Sequence, residues 1–246
     1  VTSPMTLNIS SFSNVTDLNK SVTPELSDSD TTLLHLWAHS DKYRLGGSAL
    51  YQSFKLYGGA TPDIDDANQF KVLFEVTQEL LDKDFIEALH DISDGGLITS
   101  LIEMALCSNQ GLDINLDYSD KEQLVPKLFS EEIGLVIEVK NEKLESVRNY
   151  LNEKELFFEN IAKKNDKKKI NINCFKEEVF SEDLITLFNQ WSKVSHEIQK
   201  IRDSEDAALA EKEAYENFDK FLTPEINFVV PKPDKNLFRK RRIIQL

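Results

Sequence analysis

Apolar positions along this chain recur at two spacings, and the change from one to the other divides it into short elements. Residues 31–38, with Leu34, Leu36 and Trp37, read as a buried strand. Gly46-Gly47 turns the chain into a helix predicted from about Ser48 to Tyr57, which Gly58-Gly59 stops. A second helix is predicted from Asp66 or Asn68 to about Asp82, with Phe70, Leu73, Phe74, Val76 and Leu80 on its inner side. Residues 84–89 fit a short strand, and Leu97, Leu101, Met104 and Ala105 then repeat at helical spacing to about Cys107. Residues 112–116 and 135–139 alternate as strands, and 142–154 form a charged amphipathic helix. Residues 156–161 and 170–175 are strand candidates around a lysine-rich hairpin, 163–169, expected as an exposed insertion. Residues 177–180 add a short strand, and 183 to about 202 a long helix carrying Leu184, Leu187, Trp191 and Ile198. Leu7, Ile9 and Phe12 sit near alternation in a β-rich opening.

Strands and helices mix without a strict βαβ rhythm. The expected class is therefore α/β (α+β): a mixed β-sheet packed with helices, not a doubly wound parallel sheet. Helix extends through 206–222, after which Pro224, Pro231 and Pro233 mark a linker. Arg242-Ile243-Ile244-Gln245-Leu246 looks like the first strand of a following domain. The division expected is a domain over 1–205 and a helix-and-linker tail over 206–246.

Length, charge and cysteine use narrow the class. The 246 residues can bury a substantial core, and the opening at Val1 rather than Met reads as that of a fragment. Net charge is −14; residues 229–246 carry six Lys/Arg and one Asp, which leaves −19 on the rest. An acidic body argues against nucleic acid as a partner, and Arg239-Lys240-Arg241-Arg242 reads as a solvated linker run. No apolar run approaches the roughly 20 residues of a membrane span, so no membrane partner is expected and a cytoplasmic location is. Cys107 and Cys174 stand alone, as free thiols, not a disulfide or a zinc site.

The chemistry concentrates in His90-Asp91-Ile92-Ser93-Asp94-Gly95-Gly96-Leu97, a strand end, a tight turn and a helix start. Asp94 is placed to cap that helix, leaving free N–H groups at Gly95 and Gly96. Two glycines at a bare helix N-terminus let a phosphate approach the backbone. The nearby carboxylates would repel it, and a divalent cation such as Mg²⁺ bridging the two removes the conflict. The same residues also fit a βα turn with a capping Asp and no ligand. Gly46, Gly47 and Ser48 divide in the same way between lining a phosphate and joining strand to helix; lacking a following Lys-Ser/Thr, they are no Walker A loop. His90 reads as a turn histidine, and His35 with His39 as ordinary residues, not metal ligands. Adjacent Glu131 and Glu132 diverge, which argues against a catalytic dyad. Glu103 is expected to join a network inside the helix. No Ser-His-Asp arrangement and no cysteine beside a base is found, so no catalytic residue is assigned.

These stretches, with Arg44-Leu45-Gly46-Gly47-Ser48-Ala49-Leu50, Leu101-Ile102-Glu103-Met104-Ala105 and Leu128-Phe129-Ser130-Glu131-Glu132-Ile133-Gly134, occur in the order and spacing of one family. They resemble the large form of phosphoribosylformylglycinamidine synthase, in its second aminoimidazole-ribonucleotide-synthetase-like C-terminal domain. Val22-Thr23-Pro24-Glu25-Leu26 and the Trp191 helix running into Ile201-Arg202-Asp203 fit as well, whereas Tyr51 stands where a small residue is expected. The resemblance covers about residues 1–205 well. It implies an ATP- and glutamine-dependent carbon–nitrogen ligase of purine biosynthesis that converts formylglycinamide ribonucleotide to the amidine. ATP phosphorylates the amide oxygen and ammonia displaces phosphate. Carried over, Asp91 ligates Mg²⁺ and Ser93 contacts nucleotide, with Gly46, Gly47, Ser48, Gly95 and Gly96 completing the nucleotide-binding set. The same resemblance gives this domain an auxiliary ADP site rather than the ATP-consuming one. It places N-terminal synthetase domains and a glutaminase domain elsewhere in the whole chain, so that these residues alone are expected to be inactive. Two rivals stay open: another ATP-dependent enzyme of the superfamily, of the selenophosphate or thiamine-phosphate kinase type, and a non-catalytic homologue serving as an interaction or scaffold protein.

Overall fold

The computed structural model describes residues 8–15, 17, 20–38, 42–116 and 121–217. Packing divides the chain at Val194/Ser195 into two units. The first holds a seven-stranded mixed sheet: β1 (Thr31–Trp37), β2 (Ala88–Asp91), β3 (Gly111–Leu116), β4 (Gly134–Lys140), β5 (Phe157–Asn165), β6 (Lys169–Cys174) and β7 (Glu177–Asp183), in the order β2-β4-β1-β5-β3-β6-β7. Among the described residues only the β3–β6 pair is parallel, Leu112 opposite Ile170, and the other pairings are antiparallel. β1 is buried at all seven positions, as its run of Leu33, Leu34 and Leu36 predicts for a central strand covered on both faces.

One face carries Leu34, Leu36, Ile137 and Val139 against helices α2 (Ala67–Asp82) and α5 (Leu144–Glu153), through Leu73, Val76, Leu80, Val147 and Leu151. α2 starts where Asp66 accepts hydrogen bonds from the N–H groups of Asn68 and Gln69. Helix α3 (Gly96–Ser108) packs on β2, β3 and β4 and against α4 (Leu124–Phe129) and α6 (Leu184–Trp191). Its Leu97, Leu101, Met104 and Ala105 are buried, as their helical spacing predicts. Thr23 O accepts from Leu89 N, so the segment before β1 runs beside the edge strand β2. The second unit contains most of α7 (Lys193–Arg202) and α8 (Glu205–Glu216), the latter capped by Ser204.

Several expectations are corrected. α1 spans only Ala49–Ser53 and ends on Lys55 at φ 56°, where Leu56 N bonds Tyr51 O, well before Gly58-Gly59. The same closure, with a non-glycine residue in the left-handed region, ends α2 at Asp84, α3 at Asn109 and α5 at Glu155. Because Asp84 turns the chain, the next strand begins at Ala88 and not at 84. On α2 the buried stripe is Leu73, Val76, Thr77 and Leu80; Phe70 and Phe74 lie outside it and are exposed. Lys163 and Lys164 continue β5, and Lys164 reaches the fully buried Glu138 at 2.9 Å, so of the lysine-rich stretch only 166–168 stand outside the ladder, as an exposed turn. The long helix over 183–202 is two, broken at Ser192. Residues 8–15 form no strand, and Ile9 and Phe12 are exposed. The expected linker prolines, basic run and final strand, along with Leu7 and His39, lie outside the described residues.

Candidate functional site

The turn between β2 and α3 is built around two left-handed glycines, Gly95 at φ 92° and Gly96 at φ 74°. A Cβ on Gly95 would fall 2.3 Å from Thr99 Oγ1, and one on Gly96 2.7 Å from backbone atoms of Phe129 and Ser130. Gly96 therefore lets α3 pack against the end of α4, and Gly95 leaves room for the Thr99 side chain within the first turn of α3. Putting residue 95 at the cap position leaves Asp94 one step outside: Gly95 is the cap, with no side-chain cap bond, and Asp94 is exposed. The expected free amides are also taken. Gly96 N–H donates to Ser93 O at 3.0 Å, and Gly95 N–H to Glu131 Oε1 at 2.8 Å.

The second glycine motif closes equally tightly. Gly46 N–H donates to Ala60 O at 2.8 Å, and a Cβ on Gly46 would sit 2.6 Å from the Ala60 and Gly59 carbonyl oxygens. Ser48 is buried; its hydroxyl donates to Leu45 O and accepts from Tyr51 N, capping α1. Gly47 stays exposed, at the wall of a cavity of about 310 Å³ that Gln52, Lys55, Tyr57 and Gly58 also line.

A feature that periodicity did not assign joins the two motifs. Glu131 Oε1 accepts both from Gly95 N–H and from Ala49 N–H, each at 2.8 Å. Next to it, Glu132 is buried and takes Arg44 in a two-pronged pair, Nε to Oε1 at 2.5 Å and Nη2 to Oε2 at 2.7 Å. Arg44 Nη2 also reaches Asp65 at 3.1 Å. The Glu132 hydrogen bond, outweighing the cost of burial, raises the Arg44 pKa further above its ordinary range. The two glutamates serve different partners, which leaves no room for a shared-proton dyad.

At the other end of the turn, the Asp91 side chain is 72% exposed. Its backbone carbonyl accepts from Ser100 Oγ and faces His90 Nδ1 at 2.7 Å. His90 Nε2 lies 3.2 Å from Glu103 Oε2, and the other Glu103 oxygen accepts from Trp191 Nε1 at 2.9 Å. Glu103 thus ties α6 to the motif. Among the described residues no three His, Cys, Asp or Glu side chains gather as a metal cage. Asp91 could offer a cation one exposed carboxylate, with the remaining oxygens drawn from elsewhere.

A mixed seven-stranded sheet with helices on both faces, joined glycine turns and an exposed carboxylate at the strand end define a class. The chain belongs to the AIR synthase-related family as its C-terminal domain, whose model matches residues 38–174. More particularly, it is 35% identical over 215 residues to a protein of Arabidopsis thaliana, "probable phosphoribosylformylglycinamidine synthase, chloroplastic/mitochondrial". That match covers 87% of this chain and 15% of the relative, so the chain spans a small part of that relative's length. Thermotoga maritima PurL shares the fold. Its structure with FGAR superposes with a TM-score of 0.58 at 17% identity, over 69% of this chain and 30% of that one. The structure with ATP gives 0.55 at 14%, over 68% and 27%. No helix among the described residues is long and apolar enough to cross a membrane.

Proposed function

We propose that this chain is the second synthetase-like C-terminal domain of a large phosphoribosylformylglycinamidine synthase and that it serves an auxiliary Mg²⁺–nucleotide site. The whole enzyme would convert formylglycinamide ribonucleotide to the amidine with ATP and glutamine-derived ammonia, using further synthetase domains and a glutaminase domain. The observation that carries the reading is the 35% identity over 87% of the chain. The same identity favours this enzyme over the kinase-type rivals of the superfamily. The intact motif from His90 to Leu97 speaks against a decayed, purely scaffolding homologue. Residues 1–205 would form the domain proper and 206–246 the tail toward the glutaminase. A cytoplasmic location goes with the reading, although the plant relative is chloroplastic or mitochondrial by name.

Within the site, Asp91 would hold Mg²⁺ and Ser93 would contact the nucleotide, with exposed Gly47 the most accessible part of the second motif. Gly46, Ser48, Gly95 and Gly96 would act as its frame, since the amides of Gly46, Gly95 and Gly96 and the hydroxyl of Ser48 are already paired. The cation, when bound, would neutralise phosphate charge between ligand and carboxylate. A calorimetric titration of Mg-ADP into the 246-residue chain tests this. Saturable binding that EDTA abolishes is expected; no binding at millimolar nucleotide contradicts the site.

A further inference from the structure

Glu131 lies in the short connection between α4 and β4. Glu132 is anchored on one side by Arg44, and Ser130 Oγ donates to Arg44 O at 3.2 Å. With both neighbours held, Glu131 is directed between the glycine turns. There a single oxygen receives Gly95 N–H and Ala49 N–H, from two motifs 46 residues apart in the chain. Gly95 caps α3, a helix of 13 residues, so the carboxylate also sits at the positive end of that helix dipole. This is the place that a ligand phosphate would take if it were cradled by the turn amides. A carboxylate already holds it.

We propose that Glu131 is a positioning residue with two effects. It clamps the two glycine turns at a fixed spacing. It also fills the space between their amides with negative charge, so that a phosphate ligand must enter with its own divalent cation on the Asp91 side. The second effect rests on the nucleotide reading above; the first does not. Three chemical facts shape the test. Glutamine at 131 keeps an acceptor oxygen with two lone pairs and loses the charge. Alanine loses both. A bond from an amide to a charged acceptor is among the stronger ones in a protein, so its loss shows in amide exchange.

The clamp is read by hydrogen exchange at the Gly95 and Ala49 amides in wild type, Glu131→Gln and Glu131→Ala. Exchange is referred to the β1 amides, so that a general loss of stability is subtracted. Alanine should speed both amides about tenfold or more over that reference, and glutamine should leave both within about threefold of wild type. Acceleration at only one amide, at neither, or no faster than in β1 overturns the clamp. The charge effect is read by calorimetry of ADP with Mg²⁺ and with EDTA. Wild type should bind only with Mg²⁺, while Glu131→Gln should keep its Mg-ADP affinity and gain tenfold or more for metal-free ADP. Unchanged metal-free binding in Glu131→Gln overturns the charge effect. If wild type binds no Mg-ADP, the nucleotide reading falls together with the charge effect, and the exchange data still decide the clamp.

Discussion

Glu159→Gln should destabilise the fold strongly at neutral pH and only weakly in acid. Glu159 stands opposite His35 in the β1–β5 ladder and lies 2.5 Å from the Nζ of Lys127, whose side chain is 1% exposed. His35 Nδ1 is 3.3 Å away, and the rings of Trp37 and Tyr43 flank the ammonium at 4.6 and 5.1 Å. Burial pushes the Glu159 pKa up, but the His35 hydrogen bond and the Lys127 charge outweigh it and hold the carboxyl at about 2, against an ordinary 4.5. That difference corresponds to about 3 kcal/mol of stability at pH 7. Breaking a buried pair from one side gives a similar figure, about 3–5 kcal/mol, since Lys127, its side chain 1% exposed, would lose this carboxylate. The unfolded chain takes up a proton at about 4.5 while the folded one does not until about 2. The contribution is therefore complete above pH 4.5, roughly half lost at pH 3, and gone below about 2. His35, pushed below its ordinary 6.5 chiefly by burial, adds to the loss of stability as pH falls below that value. Urea midpoints of wild type and variant at pH 7, 5 and 3, at matched m-values, make the comparison. A gap between the two proteins that stays constant from pH 7 to pH 3 would refute the electrostatic origin.

Gly96→Ala should cost more than about 2 kcal/mol in thermal or urea unfolding, because φ is positive and the new Cβ meets the Phe129 and Ser130 backbone. Asp94→Ala should change stability by less than about 0.5 kcal/mol, since Asp94 is exposed and makes no cap bond; a loss near 1 kcal/mol would restore it as the cap. Asp66→Ala should cost about 1 kcal/mol, as the true cap of α2, and an unchanged urea midpoint would contradict that.

Much of the fold was legible because burial imposes periodicity. The run at 31–38 announced the central strand, and the Leu97, Leu101, Met104, Ala105 spacing announced α3. Errors fall where local conformation was decided by tertiary contact. Lys55 and Asp84 adopt a left-handed conformation that sequence patterns assign to glycine, so α1 ends earlier and β2 starts later than expected. Phe70 and Phe74 are apolar yet exposed, which hydrophobicity alone cannot reveal. In the site, both glycine motifs were visible as motifs. That one carboxylate joins them was not, because Ala49, Gly95 and Glu131 are distant in the chain and nothing in a row of letters marks a hydrogen bond. The block 128–134 carries the signal through its order among the motifs, but the divergence of adjacent Glu131 and Glu132 argues only against an acid pair and assigns neither a partner.

The central claim is that Asp91 is where a nucleotide's cation meets this domain. The direct measurement is Mg-ADP calorimetry on wild type, Asp91→Asn and Asp94→Asn in parallel, with urea midpoints on the same samples. Both substitutions keep shape and remove one exposed charge from the same turn, so both should leave stability within about 0.5 kcal/mol. The account predicts that Asp91→Asn weakens Mg-ADP binding tenfold or more while Asp94→Asn binds as wild type does. Equal affinities in all three, or a loss confined to Asp94→Asn, would contradict it.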